Sequence, residues 1–198
     1  MSLSAKDARL VRLSTAIVLG RWDDLRRLRA RAPSGEPDRA WREAALQTHL
    51  FAGFPRLVEA YGVLERAGGL GPLDEGEYRA EPDRPERGAE LFARIYAASA
   101  GEVRELLRRH HPDFADWVAG HAYGRVLARP GLEPGRRELL AVAALAALGQ
   151  ERQLASHARG ALRCGASAGE VRASLEEIAP WLGPHRLARA LEIVERFA

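Results

Sequence analysis

The chain has no asparagine, one cysteine, one methionine and, in Lys6, one lysine; arginine supplies the other 29 of its 30 basic residues. A lone cysteine, Cys164, excludes an intramolecular disulfide and any Cys-x-x-Cys redox pair. Scarce lysine beside abundant arginine points to G+C-rich coding more than to thermophily. Long apolar runs are missing too. The stretch 141–149 is too short to span a bilayer, and the first residues, MSLSAKDARLVRL, contain no signal-peptide core. No membrane partner is expected, and a cytoplasmic location is the simplest expectation. There is no P-loop, no Gly-x-Gly-x-x-Gly and no Gly-x-Ser-x-Gly. The net charge of +3 comes from arginine interleaved with 27 acidic residues. That pattern predicts a solvated, salt-bridged surface, and no nucleic-acid partner is expected.

What is present is helical. With 46% hydrophobic and 29% charged residues, the 198-residue chain has the balance of a soluble globular protein. Apolar residues recur at helical spacing, as in Leu139, Val142, Ala143, Ala146 and in Val171, Leu175, Ile178. They predict helices over roughly 5–19, 21–32, 37–51, 54–67, 88–98, 100–110, 112–127, 134–148, 150–164, 168–179 and 184–197, an all-α fold. Ser167 followed by Glu170 is a capping-box signature. Residues 68–87, rich in Gly, Pro and charge, read as a linker between an N-terminal unit, 1–67, and a C-terminal domain, 88–198. The two flanks resemble each other. LVRLSTAIVLG (10–20) aligns with LLAVAALAALG (139–149) at an offset of 129, and residues 41–61 align with 171–191 at an offset of 130. The expectation is a divergent duplication of one helical unit.

One region concentrates polar groups in an apolar setting. Helix 134–148 is nearly all Ala, Leu and Val from Glu138 onward, and Gly149 is a natural stop. Glu138 lies eleven residues before Gly149 and His157 eight after it, roughly 16 and 12 Å from the turn at about 1.5 Å per residue. An antiparallel hairpin would bring them together, with Gln153 on the His157 face. A carboxylate, an imidazole and an amide make an acid–base set. The blander alternatives are a core histidine, a carboxylate favoured by a helix N-terminus and polar residues opening a helix. Cys164 reads as a small core residue. His110, His111, Asp113 and His121 fit no strong metal-ligand spacing. The basic stretch 21–32 reads as a solvated face or a subunit contact.

The same residues carry a resemblance. RPGL (129–132), Arg137-Glu138-Leu139, AVAALAALG (141–149) and QLASHARGALRCGAS (153–167) resemble the carboxymuconolactone decarboxylase family, which includes the alkylhydroperoxidase D-like peroxidases. The likeness extends upstream through RGAELFARIYA (87–97) and residues 111–132. Glu138 and His157 match the peroxidase frame, but its two cysteine positions are occupied here by Gln150 and Gln153. The resemblance therefore implies a thiol-free, decarboxylase-like enzyme acting on a small carboxylate or lactone without a cofactor. In that reaction a carboxylate leaves a carbon conjugated to a lactone carbonyl, and the lactone accepts the electrons. His157 suits the proton donor, Glu138 would orient it, and Gln153 would hydrogen-bond the developing oxyanion. Gln150 would line the pocket, and Arg129 or Arg159 would hold a carboxylate. The resemblance also implies a homo-oligomer, a trimer or a hexamer. The first repeat keeps the family's FAGFP turn (51–55) where the second has WLGPH (181–185). It has Arg9, Asp24 and Leu28 in place of Glu138, Gln153 and His157, so it is expected to be structural. A peroxidase-like role for Cys164 and a non-enzymatic helical assembly are the alternatives.

Overall fold

A computed structural model describes residues 2–78 and 82–197. Every regular element among them is helical. In chain order these are α1 (Ala5–Leu19), α2 (Trp22–Ala30), α3 (Arg39–Gln47), α4 (His49–Arg66), α5 (Glu75–Tyr78), α6 (Arg84–Tyr96), a 3-10 turn (Ala97–Ser99), α7 (Ala100–His110), α8 (Pro112–Asp116), a π-helix (Trp117–Leu127), α9 (Pro134–Leu148), α10 (Glu151–Arg163), α11 (Ala168–Glu177), α12 (Ala179–Leu182) and α13 (Pro184–Glu195). The all-α expectation holds, and α1 and α9 have the bounds the periodicity predicts.

Helix α9 is the axis of the molecule. Leu140, Ala143 and Ala147 on one side join Leu10, Leu13 and Ile17 of α1 and Trp41 and Ala44 of α3. Leu139, Val142 and Ala146 on the other side join Leu154 and Ala158 of α10, Leu175 of α11 and Ile193 of α13. A helix apolar all round has to be enclosed, and its alanines let both neighbours approach closely. The N-terminal and C-terminal helices thus share one core. A satellite cluster of Leu91, Phe92, Ile95, Tyr123 and Leu127 joins α6 to the π-helix.

Two stretches of backbone run the same course. Helices α1 and α9 end on left-handed glycines, Gly20 (φ 69, ψ 32) and Gly149 (φ 71, ψ 26). The chain then turns into α2 and α10 through Arg21 (φ −83, ψ 70) and Gln150 (φ −89, ψ 68). Helices α3 and α11 start from side-chain caps, Asp38 onto Trp41 N and Ser167 onto Glu170 N, the latter a complete capping box. Gly53 (φ 78, ψ 166) kinks α4 where Gly183 (φ 75, ψ 162) separates α12 from α13. Those last dihedrals are essentially open to glycine alone.

The stretch 68–87 holds the one-turn α5 and the start of α6, while 79–81 lie outside the described residues. It is also tied down, with Arg29 donating to Gly68 O (2.7 Å) and Arg42 paired with Glu77 at 2.6 Å. Residues 112–127 are not one α-helix but α8 followed by π winding. Apolar spacing does not distinguish the two windings. Small residues, including Gly124 packed against Gly88 of α6, permit the wider coil.

Candidate active site

Helices α9 and α10 pack antiparallel across Gly149 and bring Glu138 and His157 together. The His157 Nδ1–H donates to Glu138 Oε2 at 2.9 Å. Glu138 is 1% exposed at its side chain and His157 13%. Gly160, one turn beyond His157, makes room for the carboxylate; a Cβ there would collide with Glu138 Oε2 and stand 3.0 Å from Ile95 Cγ2. Burial opposes the charging of His157. The charge of Glu138 and its hydrogen bond outweigh that penalty, so the imidazole pKa is raised above its ordinary 6.5. With Nδ1 held by the carboxylate, Nε2 is the atom left to exchange a proton.

His157 lines a cavity of about 450 Å³. Its mouth carries the exposed side chains of Arg152, Gln153 and His110. Leu145, Leu127 and Tyr123 form its floor. Leu50 and Phe51 reach it from the start of α4, so the N-terminal unit completes the wall. Phe51 meets the His157 ring edge-on, with centroids 6.2 Å apart. Opposite, the Tyr123 hydroxyl donates to the Tyr96 hydroxyl at 3.2 Å. Burial, the neighbouring phenol and Glu138 hold Tyr123 well above the ordinary tyrosine range. Burial likewise raises Tyr96. Both phenols keep their protons at neutral pH and are hydrogen-bond donors.

The other residues singled out in the sequence lie elsewhere. Gln150 borders a separate cavity with Arg186 and Arg189. Arg129 grips Glu43 with Nε–Oε2 at 2.9 Å and Nη2–Oε1 at 2.8 Å. Arg137, 1% exposed, holds the same carboxylate at 2.9 Å. The Arg159 guanidinium sits 5.0 Å over the Phe197 ring. None of these three arginines lines the His157 cavity. Cys164 caps α10, half buried, and burial followed by the charge of Glu138 pushes its thiol up to about 11. His121 pairs with His49 (Nε2 to Nε2, 2.8 Å), and His111 Nδ1 accepts from Asp113 N at 3.1 Å.

Residues 112–196 match the model of the carboxymuconolactone decarboxylase family. This segment, somewhat under half of the chain, is similar to that family. Among curated proteins, 4-carboxymuconolactone decarboxylase of Acinetobacter baylyi is 35% identical over 68 residues, 34% of this chain and 51% of that protein. Peroxisomal protein 2 of Schizosaccharomyces pombe is 28% identical over 135 residues, 66% of this chain and 62% of that protein. The chain thus matches between about half and three-fifths of each relative's length. The matched segment contains Tyr123, Glu138, Gln153 and His157; Tyr96, Leu50 and Phe51 lie before it.

Sequence reasoning passed over Arg152, Ser156, Tyr96 and Tyr123 as cavity residues. The first two had a signal, since Arg152, Gln153, Ser156 and His157 form one helical stripe. The tyrosines had none, being brought together only by the packing of α6 on the π-helix.

Proposed function

We propose that this protein is a cofactor-independent decarboxylase-like enzyme acting on a small carboxylated lactone or related acid. The observation that carries the proposal is the Glu138–His157 pair opening onto an apolar-floored cavity of about 450 Å³. Arg152 at the mouth supplies a cation for a substrate carboxylate that is to be retained, while the apolar floor disfavours the charge of the one that is lost. The bond from carbon to the departing carboxylate breaks, CO₂ leaves, and the electron pair moves through the conjugated double bond onto the lactone oxygen. Gln153 and the Tyr96 hydroxyl, itself receiving the Tyr123 proton, donate to that developing oxyanion. The His157 imidazolium then delivers a proton to carbon, and solvent restores it. Glu138 orients the ring and stabilises its charged form.

The match to 4-carboxymuconolactone decarboxylase supports a substrate of that class. The Cys164 alternative is disfavoured, because a thiol titrating near 11 supplies almost no thiolate at neutral pH. An open cavity weighs against a purely structural assembly. The matched turns at Gly20 and Gly149 and at Gly53 and Gly183 support a divergent duplication, with the acid–base set retained in the second copy alone. A homo-oligomer remains part of the proposal on resemblance.

Release of CO₂ from 4-carboxymuconolactone and a panel of carboxylated lactones tests the reading. Turnover by the wild type that falls at least a hundredfold in His157→Ala is expected. Equal turnover by a folded His157→Ala protein would overturn it.

A further inference from the structure

A second cavity, of about 430 Å³, faces the first helical unit. It is the image of the acid–base cavity in the repeat frame. Asp24, Arg27 and Leu28 stand 129 residues before Gln153, Ser156 and His157; Pro180 and Trp181 stand 130 after Leu50 and Phe51. Arg9 replaces Glu138. Five wall positions thus correspond, and an arginine stands at the position that answers to Glu138.

Four guanidiniums, Arg9, Arg12, Arg27 and Arg31, share this lining with two carboxylates, Asp24 and Glu177. Glu177 pairs with Arg12, and Asp24 is already divided between Arg21 and Arg27. Arg9 is held in plane from outside the cavity by Glu36, through Nε–Oε2 at 3.0 Å and Nη2–Oε1 at 2.6 Å, which leaves its Nη1 edge. Arg31 has no ion-pair partner among the described residues. Counting Arg21 and Glu36 behind the wall, guanidiniums still exceed carboxylates by two. Trp181 and Pro180 add an apolar side. Arginines already fixed by neighbours lose little freedom on binding and present forked donors to oxyanions.

We propose that this cavity binds a small molecule bearing carboxylate or phosphate groups, at a site separate from the Glu138–His157 cavity. The inference rests on the lining alone and is independent of what the acid–base cavity catalyses.

Titration calorimetry with citrate and with inorganic pyrophosphate, at low salt, tests it on wild type, Arg31→Glu and His157→Ala. Residue 31 is exposed, so Arg31→Glu preserves the fold. Supporting results are binding by the wild type to at least one probe, a loss of tenfold or more in Arg31→Glu (about 1.4 kcal/mol), and unchanged binding in His157→Ala. Which probe binds distinguishes a carboxylate from a phosphate ligand. No heat from either probe, binding unaffected by Arg31→Glu, or binding lost in His157→Ala would each overturn it.

Discussion

Glu138 accepts the Nδ1–H of His157 at 2.9 Å from a position where its carboxylate is 1% exposed. The pair sets the protonation of the imidazole. In Glu138→Gln the carboxylate charge, the larger of the two raising influences, is removed and burial prevails over the remaining hydrogen bond, so the His157 pKa is expected to fall below 6.5. NMR titration of the ring carbons checks this; an unchanged midpoint would refute the assignment. The sign for stability follows. A raised histidine pKa contributes stability that is complete below about 6.5 and lost as pH rises through the higher folded value. The wild type should therefore lose this contribution above that value, and Glu138→Gln should instead lose stability on acidification.

Gly160 is the space that the carboxylate occupies. Gly160→Ala would force a methyl group onto Glu138 and Ile95. A loss of about 1–3 kcal/mol is expected from such overpacking, together with a displaced His157 resonance. Urea denaturation measures the first; a stability equal to wild type would show that the carboxylate has another place to go.

Cys164 should be chemically quiet. With its thiol pushed up to about 11, roughly one molecule in a thousand carries thiolate at pH 8. Reaction of the folded protein with a disulfide reagent is expected to be far slower than that of the unfolded chain and to accelerate toward pH 11. Cys164→Ser should leave CO₂ release unchanged. Rapid labelling at pH 7 would revive the peroxidase-like alternative.

Tyr96→Phe removes the hydroxyl that the proposed reaction uses as a donor while keeping the ring. A loss of about 10²-fold in kcat with little change in KM is expected. Tyr123→Phe, which acts through Tyr96, should cost less. Equal kinetics in both variants would exclude the phenol pair from the reaction.

Glu43 holds Arg129 and Arg137 at the junction of α3 with α9. Glu43→Ala leaves a guanidinium that is 1% exposed without its carboxylate. A loss of about 3–5 kcal/mol is expected, read as a lower urea midpoint. A change under 1 kcal/mol would mean that water reaches Arg137.

The sequence by itself determined the all-α class, the bounds of α1 and α9, and the juxtaposition of Glu138 with His157. Helical spacing and terminal glycines are local properties, so the bounds of α1 and α9 were readable, and a two-helix hairpin has one register once Gly149 ends the first helix. That is why Glu138, His157 and Gln153 could be brought to one place on paper. Only the tertiary structure decided what surrounds them. Arg129 looked like a substrate clamp because its motif lies near Glu138 in sequence; it turns to Glu43, 86 residues away, where its charge is satisfied. Tyr96 and Tyr123, 27 residues apart, meet because α6 packs on a π-helix whose winding no apolar periodicity reveals. Leu50 and Phe51 close the cavity from the start of α4. Long-range packing places these groups, and no local spacing encodes it.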